Sequence, residues 1–213
     1  MTTPAPVPSS ASRGGTLRAL EGAWRIALGR NDWRECFDFS ADGFFNSFFA
    51  LIVAAPLFLL IFAGARPAQE EYMAILEPSA RPPSSSVSFV FTVITYVGGW
   101  AASILALAAT ARIFKAPRNF AVVVVLFNWT RPVLLSISCL AATAYLLGLI
   151  SAGQFLFVQL AALAWNAFVT VRVVRGGFGV RMAAAIATTV GLFAASLAVE
   201  LVTLSFAPNV AQG

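Results

Sequence analysis

The sequence predicts an all-α polytopic membrane protein, five transmembrane helices preceded by a cytoplasmic amphipathic helix. Three observations carry this. Hydrophobic residues make up 59% of the 213 positions and charged residues only 11%, against about 25% charged in soluble domains. Five apolar runs approach or exceed the roughly 20 residues that cross a bilayer as a helix. Basic residues alternate between the segments joining those runs, eleven on one side and two on the other.

The opening MTTPAPVPSSASRGG lacks the apolar core of a signal peptide. Residues 1–15 read as a disordered tail. In 16–29, TLRALEGAWRIALG, Leu17, Leu20, Trp24 and Leu28 recur at helical spacing, with Arg18, Glu21 and Arg25 elsewhere around the turn. Trp24 and Trp33 stand beside Arg25, Arg30 and Arg34, the mixture that favours the headgroup layer. Residues 16–43 are therefore expected to lie in the cytoplasmic membrane interface, the alternative being a helix packed on a partner domain. Ser40 is placed to cap the next helix. Asp38 and Asp42 are expected to favour that helix start rather than to catalyse.

The transmembrane domain is expected over 44–207, with spans at 44–63, 87–111, 120–150, 152–171 and 181–206. Residues 208–213 form an external tail. The segment 65–86 contains prolines, serines and three glutamates and reads as an extramembrane loop, with a short surface helix in PAQEEYMAILE. The basic segments define the cytoplasmic side. Five spans then leave the N-terminus inside and the C-terminus outside. Arginine supplies every basic residue except Lys115. With abundant alanine, this fits a GC-rich bacterial genome, and so a bacterial cytoplasmic membrane.

The third run contains LFNWTRPVLLS, in which Arg131 precedes Pro132. Proline removes the N–H that the Asn128 carbonyl would accept, and Asn128 and Arg131 share a face. One geometry is a single long helix kinked at Pro132, with Arg131 deep. The other, favoured here because the run is long for one span, breaks the helix near 128–132. The span then starts at Pro132 and Arg131 reaches inner headgroups. Arg131 and Glu200 are the charges within the spans, and Gln159 and Asn166 are uncharged polar residues at similar depth. Charges at such depth mark sites, so Asn128, Arg131, Asn166 and Glu200 are the candidate binding residues. An Arg131–Glu200 ion pair requires the deep placement of the arginine; two separate snorkelling charges are the plainer expectation. Small residues at every fourth position, Ala183, Ala187, Gly191 and Ala195, and the pairs Gly98/Ala102 and Gly99/Ser103, are expected to pack within the bundle.

The chain has no histidine and no metal-spaced cluster, so no metal and no cofactor is expected. Cys36 and Cys139 fall in different environments, which argues against a structural disulfide. The sequon Asn128-Trp129-Thr130 lies at membrane depth and is discounted. Neither paired carboxylates nor a serine with a nearby base is evident, so an enzyme is not expected. The net charge of +5 sits in short loops and does not imply nucleic acid. The expected partners are the lipid bilayer and a protein at the cytoplasmic face.

Two stretches resemble the Yip1 family of integral membrane proteins. NWTRPVLLSI, 128–137, is similar to the family's small-aromatic-then-proline entry into its third helix, although Arg131 departs from that pattern. LAWNAFVTVRVVRGGFGVRMAAAIA, 163–187, resembles its tryptophan-led fourth helix, basic glycine turn and alanine-rich fifth helix. The likeness spans roughly 88–206. It implies five spans, an N-terminal region inside and a membrane-organising or adaptor role. The rival expectation is a small transporter or permease subunit with an anion-accommodating site near Arg131, because interrupted helices often carry transport sites.

Overall fold

The computed structural model describes residues 11–76 and 85–206. The N-terminal ten residues, the 77–84 stretch of the expected loop and the external tail lie outside them. Every helix and turn assigned among the described residues is helical in type: α1 Ala11–Ala27, a 3-10 turn Arg34–Cys36, α2 Ala41–Ser47, α3 Phe49–Leu76, α4 Ser85–Ile113, α5 Pro117–Leu146, α6 Ala152–Phe178 and α7 Met182–Phe206. Five of these segments are long and apolar enough to cross a membrane, with α2 and α3 together supplying the first. The chain is an integral, multi-pass membrane protein.

Local chemistry explains the boundaries. Helix α1 stops at Gly29, whose φ of +81° needs no Cβ. The Arg30 and Gly29 amides bond back to the carbonyls of Arg25 and Ile26, closing the last turn in the Schellman manner. The same pair of bonds ends α4 at Lys115, where a lysine accepts φ +52°. Ser40 is the expected cap: its Oγ accepts from the Gly43 amide at 3.1 Å, while Asp38 Oδ1 accepts from the Ser40 amide at 2.9 Å. Ser151 and Gln154 close a reciprocal capping box at the start of α6.

Two expected breaks are absent. Helix α3 does not end near residue 64 but continues through Pro67 to Leu76, so PAQEEYMAIL, residues 67–76, belongs to the span's own helix. Leaving the apolar layer does not require leaving the helix. Arg66 pairs with Glu70 one turn on, at 3.0 Å, and the Tyr145 hydroxyl donates to Glu71 at 2.8 Å, tying the extension to α5. Helix α5 is likewise continuous from Pro117 to Leu146 with Pro132 inside, so the break near 128–132 does not occur. The lost hydrogen bond is local, whereas the burial that holds α5 together extends from Val123 to Ala142.

Helix α5 is the hub. It packs against α1, α2, α3, α4 and α6, while α7 closes the bundle by packing on α4 and α6. In its most apolar window 61% of residues are buried, against 17–28% in the other four spans. Its hydrophobicity therefore faces protein rather than lipid. Every residue from Val123 to Thr130 is buried, under α1 and α2 as well as the spans. That explains a run too long for one crossing.

Small residues allow the close crossings, as expected where lipid supplies no hydrophobic drive between helices. Gly64 of α3 leaves 2.9 Å between a would-be Cβ and that of Ala142 on α5. Gly98 faces Val199 at 3.0 Å and Gly99 faces Ser196 at 3.7 Å across α4 and α7, where the Ser103 and Ser196 hydroxyls meet at 3.3 Å. The α7 stripe is a correction. Ala183, Ala187 and Gly191 face outward, and only Ala195 is half-buried, because α7 meets α4 through Ser196 and Val199 instead.

Candidate functional site

The polar centre of the bundle is Asn128, 1% exposed. Its Nδ2 donates to Ser47 Oγ at 2.9 Å, and its Oδ1 accepts from Trp100 Nε1 at 3.1 Å. The Ser47 hydroxyl in turn donates to the Phe44 carbonyl at 2.7 Å. One amide thus ties α5 to α4 and α2, and Phe48 covers it by an edge-on contact with Trp100. Both ends of the amide are engaged, so Asn128 is a staple in this arrangement and not a free ligand group. The sequence offered no periodic signal for Ser47 or Trp100 as its partners.

Arg131 shares a helix with Asn128 but does not join it. Its guanidinium turns back one helical turn and stacks over the Phe127 ring at 4.1 Å. Helical side chains lean toward the N-terminus, so this is the snorkelling direction. Arg131 is half-buried, and among the described residues it makes no hydrogen bond or ion pair. Glu200 is exposed on α7 and forms no ion pair with it. Asn166, on α6, accepts from the Thr170 hydroxyl at 3.1 Å within its own helix. The four candidate residues are therefore not gathered into one cluster. A second polar anomaly is Gln159, whose Nε2 is buried without a partner.

The N-terminal segment is a docked part of the bundle. Helix α1 buries Ala19, Gly22, Ala23, Ile26 and Ala27 against α5 and α6, and leaves Leu17 and Leu28 each 69% exposed and Trp24 41% exposed. Of the five expected interface residues, Trp24, Arg30 and Arg34 are exposed, Arg25 is half-buried and Trp33 is buried; the Trp24 ring also meets Trp165 at 6.0 Å. Trp33 is buried, and its ring fills the space a Cβ on Gly176 would take, at 2.8 Å. Arg34 lies over the Trp33 ring and donates to the Gly176 carbonyl at 2.8 Å. Arg172 donates to the Arg30 carbonyl at 3.0 Å, and Trp165 Nε1 to the Ala27 carbonyl at 3.3 Å. Arg25 pairs with Glu21 and Asp32, and Arg30 with Asp32 at 2.6 Å. Hydrogen bonding from Arg30 holds the Asp32 carboxyl below its ordinary range, and the Ser40 amide does the same for Asp38. These pairs are exposed and solvent screens them, so they fasten the segment only weakly. Ring packing is the stronger fastening.

Trp33→Ala is accordingly expected to cost about 3–5 kcal/mol locally. Limited proteolysis of the purified protein should then cut within 28–40 while the spans stay protected. Equal resistance in both proteins would show that the tryptophan does not fasten the segment.

No protein-family model, curated protein or solved structure matches this chain. The class it belongs to, a five-span helical integral membrane protein, rests on the helices themselves.

Proposed function

We propose that the chain is a non-enzymatic adaptor or membrane-organising protein of Yip1-like type. On this reading it resides in a bacterial cytoplasmic membrane, with the α1 end in the cytoplasm and the C-terminus outside. One observation carries the adaptor role. Helix α1 is fixed to the bundle by one face and turns Leu17, Trp24 and Leu28 outward, beside arginines that suit headgroups or an acidic partner. Such a rigid apolar ridge has a fixed orientation to the membrane, which a free tail lacks. The alternation of basic segments supports the topology.

A photo-crosslinking residue at position 17 or 28, in intact membranes, tests the role. A control at the exposed Leu105 of α4 reports background lipid contact. The adaptor reading expects a discrete protein adduct from 17 and 28 and none from 105. Lipid adducts alone at all three positions would end it. A second reading, a small transporter or permease subunit, draws support from the unpaired Arg131. It expects Arg131→Leu to abolish uptake of an anionic solute at normal expression.

A further inference from the structure

Arg131 differs from the other arginines whose side chains are described. Arg18, Arg25, Arg30, Arg34, Arg66 and Arg172 each hold a carboxylate or a backbone carbonyl. Arg112, Arg118, Arg175 and Arg181 are exposed at helix ends. Arg131 has neither recourse. It lies about 21 Å along a helix about 45 Å long, at ~1.5 Å per residue, and its charge rests on a single aromatic face. A guanidinium at membrane depth is retained where something compensates it. The chain supplies no acid within pairing distance among the described residues.

The surroundings have the form of a seam. Helix α3 packs on α2, α5 and α6, and α4 packs on α5 and α7. Where α3 and α4 approach each other, Phe58 stacks on Tyr96 at 4.1 Å and 25°. Asn128, three residues before Arg131 on the same face of α5, bonds to Trp100 of α4 and Ser47 of α2, which turns that face toward this seam. Phe127 backs the guanidinium plane and leaves its edge N–H groups without protein acceptors. A planar fork with free edges matches the paired oxygens of a phosphate group.

We propose that Arg131 binds a phosphate group entering between α3 and α4, with Phe127 as its backing. A phospholipid headgroup and a free phosphate ion present the same chemistry, and one experiment separates them. Wild type, Arg131→Gln and Arg131→Lys are assembled in nanodiscs of phosphatidylcholine with a minority of phosphatidylglycerol. Lipids retained by the protein are counted by native mass spectrometry, with and without inorganic phosphate. Helical circular dichroism and a single gel-filtration peak confirm folding.

A lipid site predicts that wild type retains phospholipid, of either headgroup, about tenfold better than Arg131→Gln, the order expected from a lost charge-assisted hydrogen bond. Arg131→Lys would fall between them, and added phosphate would change nothing. A free-ion site predicts that inorganic phosphate displaces the lipid from wild type and has no effect on Arg131→Gln. Equal retention in wild type and Arg131→Gln, with no response to phosphate, overturns the proposal. Should Arg131→Gln fail to assemble, Arg131→Lys decides: retention equal to wild type, again with no response to phosphate, overturns it.

Discussion

Gly177→Leu is expected to abolish the folded bundle. Gly177 is buried where α6 crosses α5, and a Cβ there would strike the Val123 side chain and stand 3.2 Å from its Cα. Backbone cannot yield as a side-chain tip can. Gly177→Ala, whose Cβ displaces the valine methyl and presses on the Val123 Cα at 3.2 Å but adds nothing beyond it, should cost about 1–3 kcal/mol. Adding Val123→Ala should recover much of that loss. Leucine should leave no monodisperse protein after detergent extraction and gel filtration. The matched control is Gly191→Leu on α7, where a Cβ meets nothing within 4 Å and the side chain would face lipid. Equal yields from the two leucine variants would show that the α5–α6 crossing is not this close.

The second large effect is expected at Asn128. Asn128→Leu keeps the branching at Cγ but removes the acceptor for Trp100 Nε1 and the donor to Ser47. Leaving a buried N–H unpaired costs about 1–3 kcal/mol, and here the Ser47 hydroxyl also loses a partner. A destabilisation of about 3 kcal/mol follows, read as a lowered midpoint in thermal unfolding followed by tryptophan fluorescence. Trp100→Phe should cost a similar amount by leaving the amide oxygen unpaired. The double variant should cost distinctly less than the two losses added, because both remove the same bond. Strict additivity would mean that the indole and the amide do not interact.

These effects could not be read from the sequence, and the reason is physical. Hydropathy belongs to a stretch of chain considered alone, so the five spans and the Ser40 cap were legible from composition and local spacing. Partnership belongs to two stretches at once. Nothing near Asn128 says that Ser47 and Trp100 will meet it. Pro132 misled for the same reason: a missing hydrogen bond is visible locally, whereas the burial of Val123 to Thr130 under α1 and α2 is not. Apolar residues were assigned to lipid by default, and in α5 many of them face protein. Trp33 and Arg34 have the composition of a headgroup layer, yet their ring and guanidinium fasten the N-terminal segment to the Gly176 turn of α6. The small residues of α7 were expected inside because small residues permit contact; permission is not contact.

The pairing of α4 with α7 sets a constraint on biogenesis. The face of α4 that bears Gly98, Gly99 and Ser103 has its partner in a helix that leaves the ribosome after α5 and α6. During synthesis that face must wait in the bilayer, bare or attended by insertion factors, until the last span arrives. The second span to be made is therefore among the last to be locked. A nascent chain halted before α7 would leave bare the glycine-bearing face of α4 that the finished protein conceals.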